Sequence, residues 1–152
     1  DLTGIRDYSK DKELRMPYDN ALLRLINNGT IYQPPTDAAI EFVNAVLDRN
    51  YKRSFRLLYM CKENENPILG LQALLYNQFK HLLQVQSCNS KDISKSTGLT
   101  PWDIKIVKDY VGIYRTGELV YAIKLLRSIE RGIKLGELDD DIAIDYFLVN
   151  IL

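Results

Sequence analysis

Apolar residues recur at helical spacing along most of the chain from Pro17 onward. Breaks at Asn28-Gly29 and at Pro34-Pro35 divide this pattern, because glycine favours a helix end and proline does not fit a helix interior. No stretch alternates between apolar and polar residues for long enough to predict a strand. The pattern therefore predicts an all-α protein, a helical bundle of about seven or eight helices.

Capping residues divide the chain into individual predicted helices. Thr36 is expected to cap a helix over 36–49, and the next helix is expected over 51–62. Asn66 and Thr116 are expected to cap the two longest helices, whose apolar stripes predict the core. Ser90 and Thr100 are expected to cap two short helices between them. The residues of 51–62 that are predicted to face inward are Phe55, Leu58 and Tyr59.

Composition and charge narrow the class of protein. The chain has 152 residues, with 20 Lys and Arg against 20 Asp and Glu, and its pI is about 6.8. A domain dedicated to duplex DNA is usually strongly basic, so a role with nucleic acid must come from a local patch or from partners. The two separated cysteines, Cys61 and Cys88, do not form a disulfide framework and favour the cytoplasm.

The ends of the chain and its hydropathy bear on where the protein resides. No apolar run approaches the length of a membrane span and no signal peptide is visible, so no membrane role is expected. The start at Asp1 rather than at Met indicates a fragment of a longer protein.

Sequence motifs for catalysis or cofactor binding are missing. The chain has neither a GxxxxGK[ST] phosphate loop nor a GxGxxG turn, so ATP hydrolysis is not expected. His81 is the only histidine, which leaves a nucleophilic triad or a zinc site without its usual partners. The acidic run 137–141 could bind a divalent cation, but it lacks the calcium-loop spacing and is better explained as a solvated helix start. We therefore predict no catalytic residues, no cofactor and no metal.

The segment 90–110 has the residue frame of a helix-turn-helix. Ser94 permits close helix approach, Gly98 takes the left-handed turn, and Ile104 packs the second helix. Arginine, the commonest reader of guanine edges, is missing from the segment, and aspartates offset part of its positive charge. This pattern suits no more than a weak phosphate contact. The lysines available for it are Lys91, Lys95, Lys105 and Lys108.

An ordered set of motifs extends over 36–152. It comprises a helix with QF and then LLQV, a short helix ending in Gly-Leu, a Pro-bearing helix, and a long helix that closes on IK-x-G. This set resembles the C-terminal region of the delta subunit of bacterial DNA polymerase III. Glu130 and Leu135 differ from the usual Asp and Thr of that family, which bears on side-chain contacts but not on a helix end. The motif residues are Gln78, Phe79, Leu83, Gln84, Gly98, Lys134 and Gly136.

The resemblance implies a fold of the clamp-loader collar type. In this family the delta subunit is part of the clamp loader, which opens the sliding clamp and loads it on primed DNA during replication. The resemblance implies that 36–152 is the C-terminal collar domain and that 1–35 is a lead-in segment from the preceding domain. The implied role is that of a cytoplasmic bacterial accessory subunit of a DNA-directed DNA polymerase, without catalysis of its own.

The resemblance also implies which partners the domain has. It is expected to form hetero-oligomers through the collar with the ATPase subunits of gamma/tau type and with the delta-prime subunit. The sliding clamp is expected to contact only the N-terminal domain of delta, and contact with DNA is expected to be weak or indirect. The exposed Tyr and Leu residues of the last helix are the expected contact residues.

Two further classes of protein compete with this interpretation. A helix-turn-helix DNA-binding regulator would dimerise and would lose DNA binding on substitution of Lys105 and Lys108, but the neutral pI and the missing arginines argue against it. A small helical enzyme has no support among the titratable residues.

Overall fold

The structure, a computed structural model, describes residues 36–152. In this part of the chain all regular structure is helical, which confirms the predicted all-α fold. Seven α-helices follow one another within 36–152, with a short 3-10 helix at 108–110. They are α1 (Asp37–Leu47), α2 (Tyr51–Glu63), α3 (Ile68–Gln86), α4 (Ile93–Thr97), α5 (Pro101–Val107), α6 (Thr116–Lys134) and α7 (Asp140–Ile151). The helix predicted after Pro17 lies outside the described residues.

The two longest helices, α3 and α6, pack against each other, and α3 also contacts α1, α4, α5 and α7. Leu75 and Leu82 of α3 and Leu119 and Leu126 of α6 are fully buried between the helices of the bundle. The buried side chain of Gln72 donates to the Leu126 carbonyl at 2.8 Å, so this polar group is satisfied inside the core. The prediction that these two helices supply the core is confirmed.

Aromatic rings tie three segments together at the centre of the domain. The Phe79 ring of α3 meets Tyr114, in the loop before α6, at 5.5 Å between ring centroids, and Phe147 of α7 at 5.8 Å. Both pairs are close to edge-on, an arrangement favoured by the ring quadrupoles. The contacts therefore hold the last helix against the helix pair that forms the core.

Two of the predicted helix caps are confirmed. The Thr36 hydroxyl accepts a hydrogen bond from the Ala39 amide at 3.1 Å at the start of α1. At the start of α5 the Thr100 hydroxyl accepts from the Asp103 amide, and the Asp103 carboxylate accepts from the Thr100 amide, both at 3.1 Å. This reciprocal pair satisfies two amides that a helix start leaves free.

Three other predicted caps are wrong by one or two positions. The observed caps are Pro67, Asp92 and Arg115, where the sequence predicts Asn66, Ser90 and Thr116. The Asn66 side chain is turned back onto the preceding helix, where it donates to the Cys61 carbonyl at 3.2 Å. Asp92 caps α4 because its carboxylate accepts from the Lys95 amide at 3.1 Å.

The predicted inner face of α2 is wrong in part. Leu58 is buried as expected, but Tyr59 is 66% exposed and Phe55 is half-buried. Leu57 and Cys61 occupy the inner face instead, because these smaller side chains fit the close packing against α1. Aromatic side chains of α2 are thereby left on the outside of the domain.

Candidate protein-interaction surface on helices α2 and α7

Helices α2 and α7 lie side by side and run antiparallel. Near the end of α2, the Lys62 ammonium donates to the Asp145 carboxylate at 2.6 Å and to the Asp141 carbonyl at 2.7 Å, both in the first half of α7. Just before α2 begins, Arg49 donates to the carbonyl of Ile151, at the end of α7, at 3.3 Å. These two anchors hold the two helices next to each other.

The outer side of α7 carries three exposed apolar side chains. Ile142, Tyr146 and Val149 follow at i, i+4 and i+7, and they are 55%, 50% and 67% exposed. The opposite side of the same helix is buried in the core through Ala143, Ile144, Phe147, Leu148 and Ile151. A helix that is apolar on both sides is typical of a position with protein on both sides.

The outer side of α2 adds a row of aromatic side chains. Tyr51 is 57% exposed and its ring lies 4.9 Å from that of the half-buried Phe55, while Tyr59 is exposed one turn further on. Phe55 lies two turns before Lys62 on the same side of the helix, so the row borders α7. We name the six residues the α2–α7 surface: Tyr51, Phe55, Tyr59, Ile142, Tyr146 and Val149.

The chemistry of the α2–α7 surface favours binding over catalysis. Exposed apolar side chains that lie together on one side of a helix mark interaction sites, and aromatic side chains are enriched in protein interfaces. The ion pair between Lys62 and Asp145 provides charged groups at the seam between the two helices. The arrangement suits the face of another protein, with rings that can be buried and charges that set register.

A tyrosine and an ion pair connect the turn between α1 and α2 to the start of α6. The buried Tyr114 hydroxyl donates to the Val46 carbonyl at 2.6 Å, and the Arg49 guanidinium lies 4.7 Å from the centroid of the Tyr114 ring. The same guanidinium donates to both carboxylate oxygens of Glu118, at 3.1 and 3.0 Å. Arg49 has a φ of +58°, uncommon for a residue with a side chain, and these contacts hold it there.

The environment of this network shifts the pKa values of two of its members. Burial raises the pKa of the Tyr114 hydroxyl still further above physiological pH, and the hydroxyl keeps the proton that it donates to Val46. The side-chain hydrogen bonds from Arg49, together with the bond from the Arg115 amide, lower the pKa of Glu118 to about 2. The network therefore holds the α1–α2 turn against the start of α6.

The ion pair of Arg49 with Glu118 predicts a pH dependence of stability. Because the folded state lowers the Glu118 pKa from 4.5 to about 2, the pair stabilises the fold above about pH 4.5, and this contribution is lost as the pH falls toward 2. We expect Glu118→Gln to reduce the decline of the unfolding free energy over this range, as measured by urea denaturation. Glu41→Gln, which removes an exposed carboxylate 3.5 Å from Arg53, controls for the loss of one charge. An equal pH dependence in wild type and Glu118→Gln would contradict this role of the pair.

The motif residues of α3 differ in their surroundings. Phe79 is at the centre of the core, and Leu83 is half-buried at its edge. The side-chain oxygens of Gln78 and Gln84 are shielded from solvent and have no hydrogen-bond partner among residues 36–152. Contacts within this part of the chain therefore account for Phe79 and Leu83 but not for the two amides.

The other motif residues lie at helix ends. Gly98 follows α4 with a φ of +78° and Gly136 follows α6 with a φ of +75°, left-handed conformations that glycine adopts without strain. Lys134 is exposed and donates to the Glu130 carboxylate at 2.8 Å. Glu130 thus provides an acidic partner to this lysine, one turn away on the same helix.

The helix-turn-helix segment consists of two short helices. The Ser94 hydroxyl donates to the Leu99 carbonyl at 2.7 Å across the turn at Gly98, and Ile104 packs against the core. The second helix, α5, has 7 residues and so spans only about 10 Å. Its exposed Trp102 lies under the Lys105 ammonium, which is 5.5 Å from the ring centroid. The four predicted DNA-contacting lysines are all exposed, and they are divided among α4, α5 and the segments beside them: Lys91, Lys95, Lys105 and Lys108.

Sequence reasoning missed the residues that fix the loop before α6. The Gln86 side chain accepts from the Gly112 amide at 3.0 Å and donates to the Tyr114 carbonyl at 2.9 Å. The sequence does show that Gln72 and Gln86 lie on the apolar stripe of α3, and a polar side chain at such a position requires a hydrogen-bond partner. Arg49 carried no comparable signal, because its partner is 69 residues away in the sequence.

An exposed acidic cluster lies at the start of α7. The carboxylates of Asp139, Asp140 and Asp141 are exposed and lie within 4.8 Å of one another, and Asp139 accepts from the Asp141 amide at 2.9 Å at the start of α7. This is the helix start expected from the acidic run. Among the helices of 36–152, none is both long enough and apolar enough to span a bilayer.

Comparison with known proteins identifies the class as a helical domain of a replicative polymerase subunit. Residues 36–151 match the family model of the DNA polymerase III delta subunit, C-terminal domain, and the chain therefore belongs to this family. DNA polymerase III subunit delta of Bacillus subtilis (strain 168) is 28% identical over 118 residues, covering 74% of this chain and 34% of that protein. The solved structure of the Bacillus subtilis DNA clamp loader delta protein superposes with a TM-score of 0.65 at 22% identity, covering 75% of this chain and 35% of that one.

These similarities have a defined extent. The chain spans about one third of the length of the relatives that it matches. The family predicted from the ordered motifs is confirmed, and the structural likeness supports the helical fold. The similarities do not support the alternative of a helix-turn-helix regulator.

Proposed function

We propose that this chain is the assembly domain of a clamp-loader delta subunit and that it binds neighbouring subunits through the α2–α7 surface. The observation that carries the proposal is the outer side of α7, which is apolar although the inner side of the same helix already fills the core. Surface of this kind favours association, and a partner would remove it from water. Because the chain belongs to the delta family, the proposed partners are other subunits of the clamp loader.

The proposed partners are other clamp-loader subunits, the gamma/tau-type ATPase and delta-prime, arranged with this domain in a collar in the bacterial cytoplasm. In this proposal 36–152 is the collar domain and 1–35 is its lead-in, and the chain contributes assembly rather than catalysis. A standard interface buries about 1,200–2,000 Å² in total, and a few aromatic residues usually supply most of its energy. Tyr51, Tyr59 and Tyr146 are the proposed anchors.

The test of this function is complex formation with the partner subunits. We expect the 152-residue chain to co-elute with the ATPase and delta-prime subunits of the same source in size exclusion with light scattering, and full-length delta to compete with it. The triple variant Ile142→Ser, Tyr146→Ser, Val149→Ser is expected to weaken this association about tenfold or more, because it removes the apolar anchors of α7.

A matched triple variant provides the control. Leu135→Ser, Tyr121→Ser and Val111→Ser replace residues of the same kinds that are also exposed, at 58%, 50% and 44%, but lie outside the α2–α7 surface. Circular dichroism of both triple variants verifies that the helices are intact. Loss of the complex in the control triple, with undiminished assembly of the α7 triple, would contradict the assignment of this surface.

A further inference from the structure

Four exposed residues of α2 lie in a row on its outward side. They follow one another at spacings of four, three and four residues: Lys52, Arg56, Tyr59 and Glu63. The row begins with two cations in the first half of α2 and ends with an anion at the last residue of the helix, about 17 Å further along its axis. Tyr59 makes the row part of the α2–α7 surface, which therefore has a basic end and an acidic end.

Helix α7 adds to the acidic end. Because the two helices run antiparallel, the start of α7 lies beside the end of α2, where Lys62 donates to the Asp141 carbonyl at 2.7 Å. The exposed carboxylates of Asp139, Asp140 and Asp141 lie at the same end as Glu63. The opposite end of α7 has no charged side chain from 146 to 152, so the two cations of α2 set the charge there. The surface is therefore polarised, with apolar side chains between its two charged ends.

The charges of the row are free within the described part of the chain. Among residues 36–152, no ion pair involves Lys52, Arg56 or Glu63. Arg53, the other cation in this half of α2, reaches α1 instead and pairs with Glu41 at 3.5 Å. Free charges beside an apolar surface set the orientation in which a partner docks, because contacts between like charges are costly.

The row is complementary to a second copy of itself. The spacings four, three and four read the same in both directions, so two α2 helices that meet antiparallel across a twofold axis bring Lys52 of each copy opposite Glu63 of the other. The same arrangement brings Arg56 opposite the ring of Tyr59, where a guanidinium is attracted to the aromatic face. Each contact occurs twice by symmetry. We propose that the free chain forms a twofold dimer through the α2–α7 surface.

The apolar residues of α7 suit the same arrangement. Ile142 and Val149 lie at the two ends of its outward side, with Tyr146 between them. An antiparallel pair of α7 helices places Ile142 of each copy near Val149 of the other, so the twofold dimer removes these side chains from water in both copies. Because the surface consists of only two helices, we expect a weak dimer, with a dissociation constant on the order of 10 μM.

The dimer competes with the partner subunits. This part of the inference rests on the proposed function, in which those subunits bind the same α2–α7 surface. One surface cannot contact two proteins at once, so binding of a partner subunit releases the second copy. Until then the dimer covers exposed apolar side chains that would otherwise favour aggregation of an unassembled chain.

The experiment reverses one charge at each end of the row. Light scattering of the full 152-residue chain from about 1 to 200 μM measures the dimer, whose fraction is expected to rise with concentration. Lys52→Glu places acids opposite each other and Glu63→Lys places cations opposite each other, so each variant alone is expected to dimerise at least about tenfold more weakly. An equimolar mixture of the two variants restores both ion pairs and is expected to dimerise like wild type.

Matched variants separate this effect from misfolding. Both substitutions improve the charge at a helix end, an acid near the start of α2 and a cation at its end, so neither is expected to unfold the helix. Lys80→Glu, which reverses an exposed charge on α3, is expected to dimerise like wild type. The α7 triple variant Ile142→Ser, Tyr146→Ser, Val149→Ser is expected to remain monomeric.

Three results would overturn the inference. The first is a chain that stays monomeric up to about 200 μM. The second is a dimer that persists in the α7 triple variant. The third is a mixture of Lys52→Glu and Glu63→Lys that associates no better than either variant alone. Assembly with the partner subunits is measured on the same preparations, so a monomeric chain that still assembles contradicts the dimer alone, whereas a dimeric chain that does not assemble contradicts the proposed function.

Discussion

Phe79→Ala is expected to lower the free energy of unfolding by about 3–5 kcal/mol. The side chain is fully buried, and its ring contacts the rings of Tyr114 and Phe147. Its removal leaves a cavity at the point where α3, the loop before α6, and α7 meet. The cost therefore includes lost burial and lost packing of both neighbouring rings. Equilibrium denaturation in urea, followed by circular dichroism, measures this change.

The control for Phe79→Ala is an aromatic residue that is exposed. Tyr59→Ala on α2 removes a ring that is 66% exposed, and we expect it to change stability by no more than about 0.5 kcal/mol. A loss below about 1 kcal/mol for Phe79→Ala would mean that the three rings do not form the centre of the core.

Tyr114→Phe is expected to lower the free energy of unfolding by about 0.5–1.5 kcal/mol. The substitution keeps the ring that packs on Phe79 but removes the hydroxyl that donates to the Val46 carbonyl at 2.6 Å. The same carbonyl also accepts from the Arg49 amide at 3.0 Å, so the substitution removes one of its two hydrogen bonds. The measurement is again urea denaturation, with Tyr121→Phe as the exposed counterpart.

Thermal unfolding, together with the helical spectrum, distinguishes the loss of this hydrogen bond from a change in helix content. If Tyr114→Phe and Tyr121→Phe unfold at the same temperature, the hydrogen bond to Val46 contributes nothing to stability and does not hold the α1–α2 turn. A lower unfolding temperature for Tyr114→Phe alone, with an unchanged helical spectrum, agrees with the loss of a single buried hydrogen bond.

The helical fold can be predicted from the sequence because the apolar residues of two segments recur at clear helical spacing. The apolar stripes of α3 and α6 identify residues such as Leu82 and Leu126, which are fully buried in the structure. Thr36 and Thr100 were found as caps because a short hydroxyl side chain before a helical pattern has few competitors. The caps of α3, α4 and α6 were misplaced because neighbouring polar residues compete for the same amides and tertiary contacts decide.

Which side chains lie on the outer surface is harder to predict from the sequence, for a physical reason. Periodicity shows which residues share a face but not whether solvent or another helix lies against it. In α2 the sequence placed Tyr59 inside, whereas Leu57 and Cys61 are packed there. The exposed Tyr146 on α7 was anticipated, but its neighbours on that side are Ile142 and Val149 rather than leucines.

The two-sided character of α7 has a practical consequence for protein engineering. Replacing Ile142, Tyr146 or Val149 with charged residues would raise the solubility of the separate domain, since these side chains are exposed and contribute little to its core. The same changes would remove the groups on which docking is proposed to depend. Screens that select for soluble expression of the domain alone would therefore favour variants that have lost assembly, and selection should be carried out in the presence of the partner subunits.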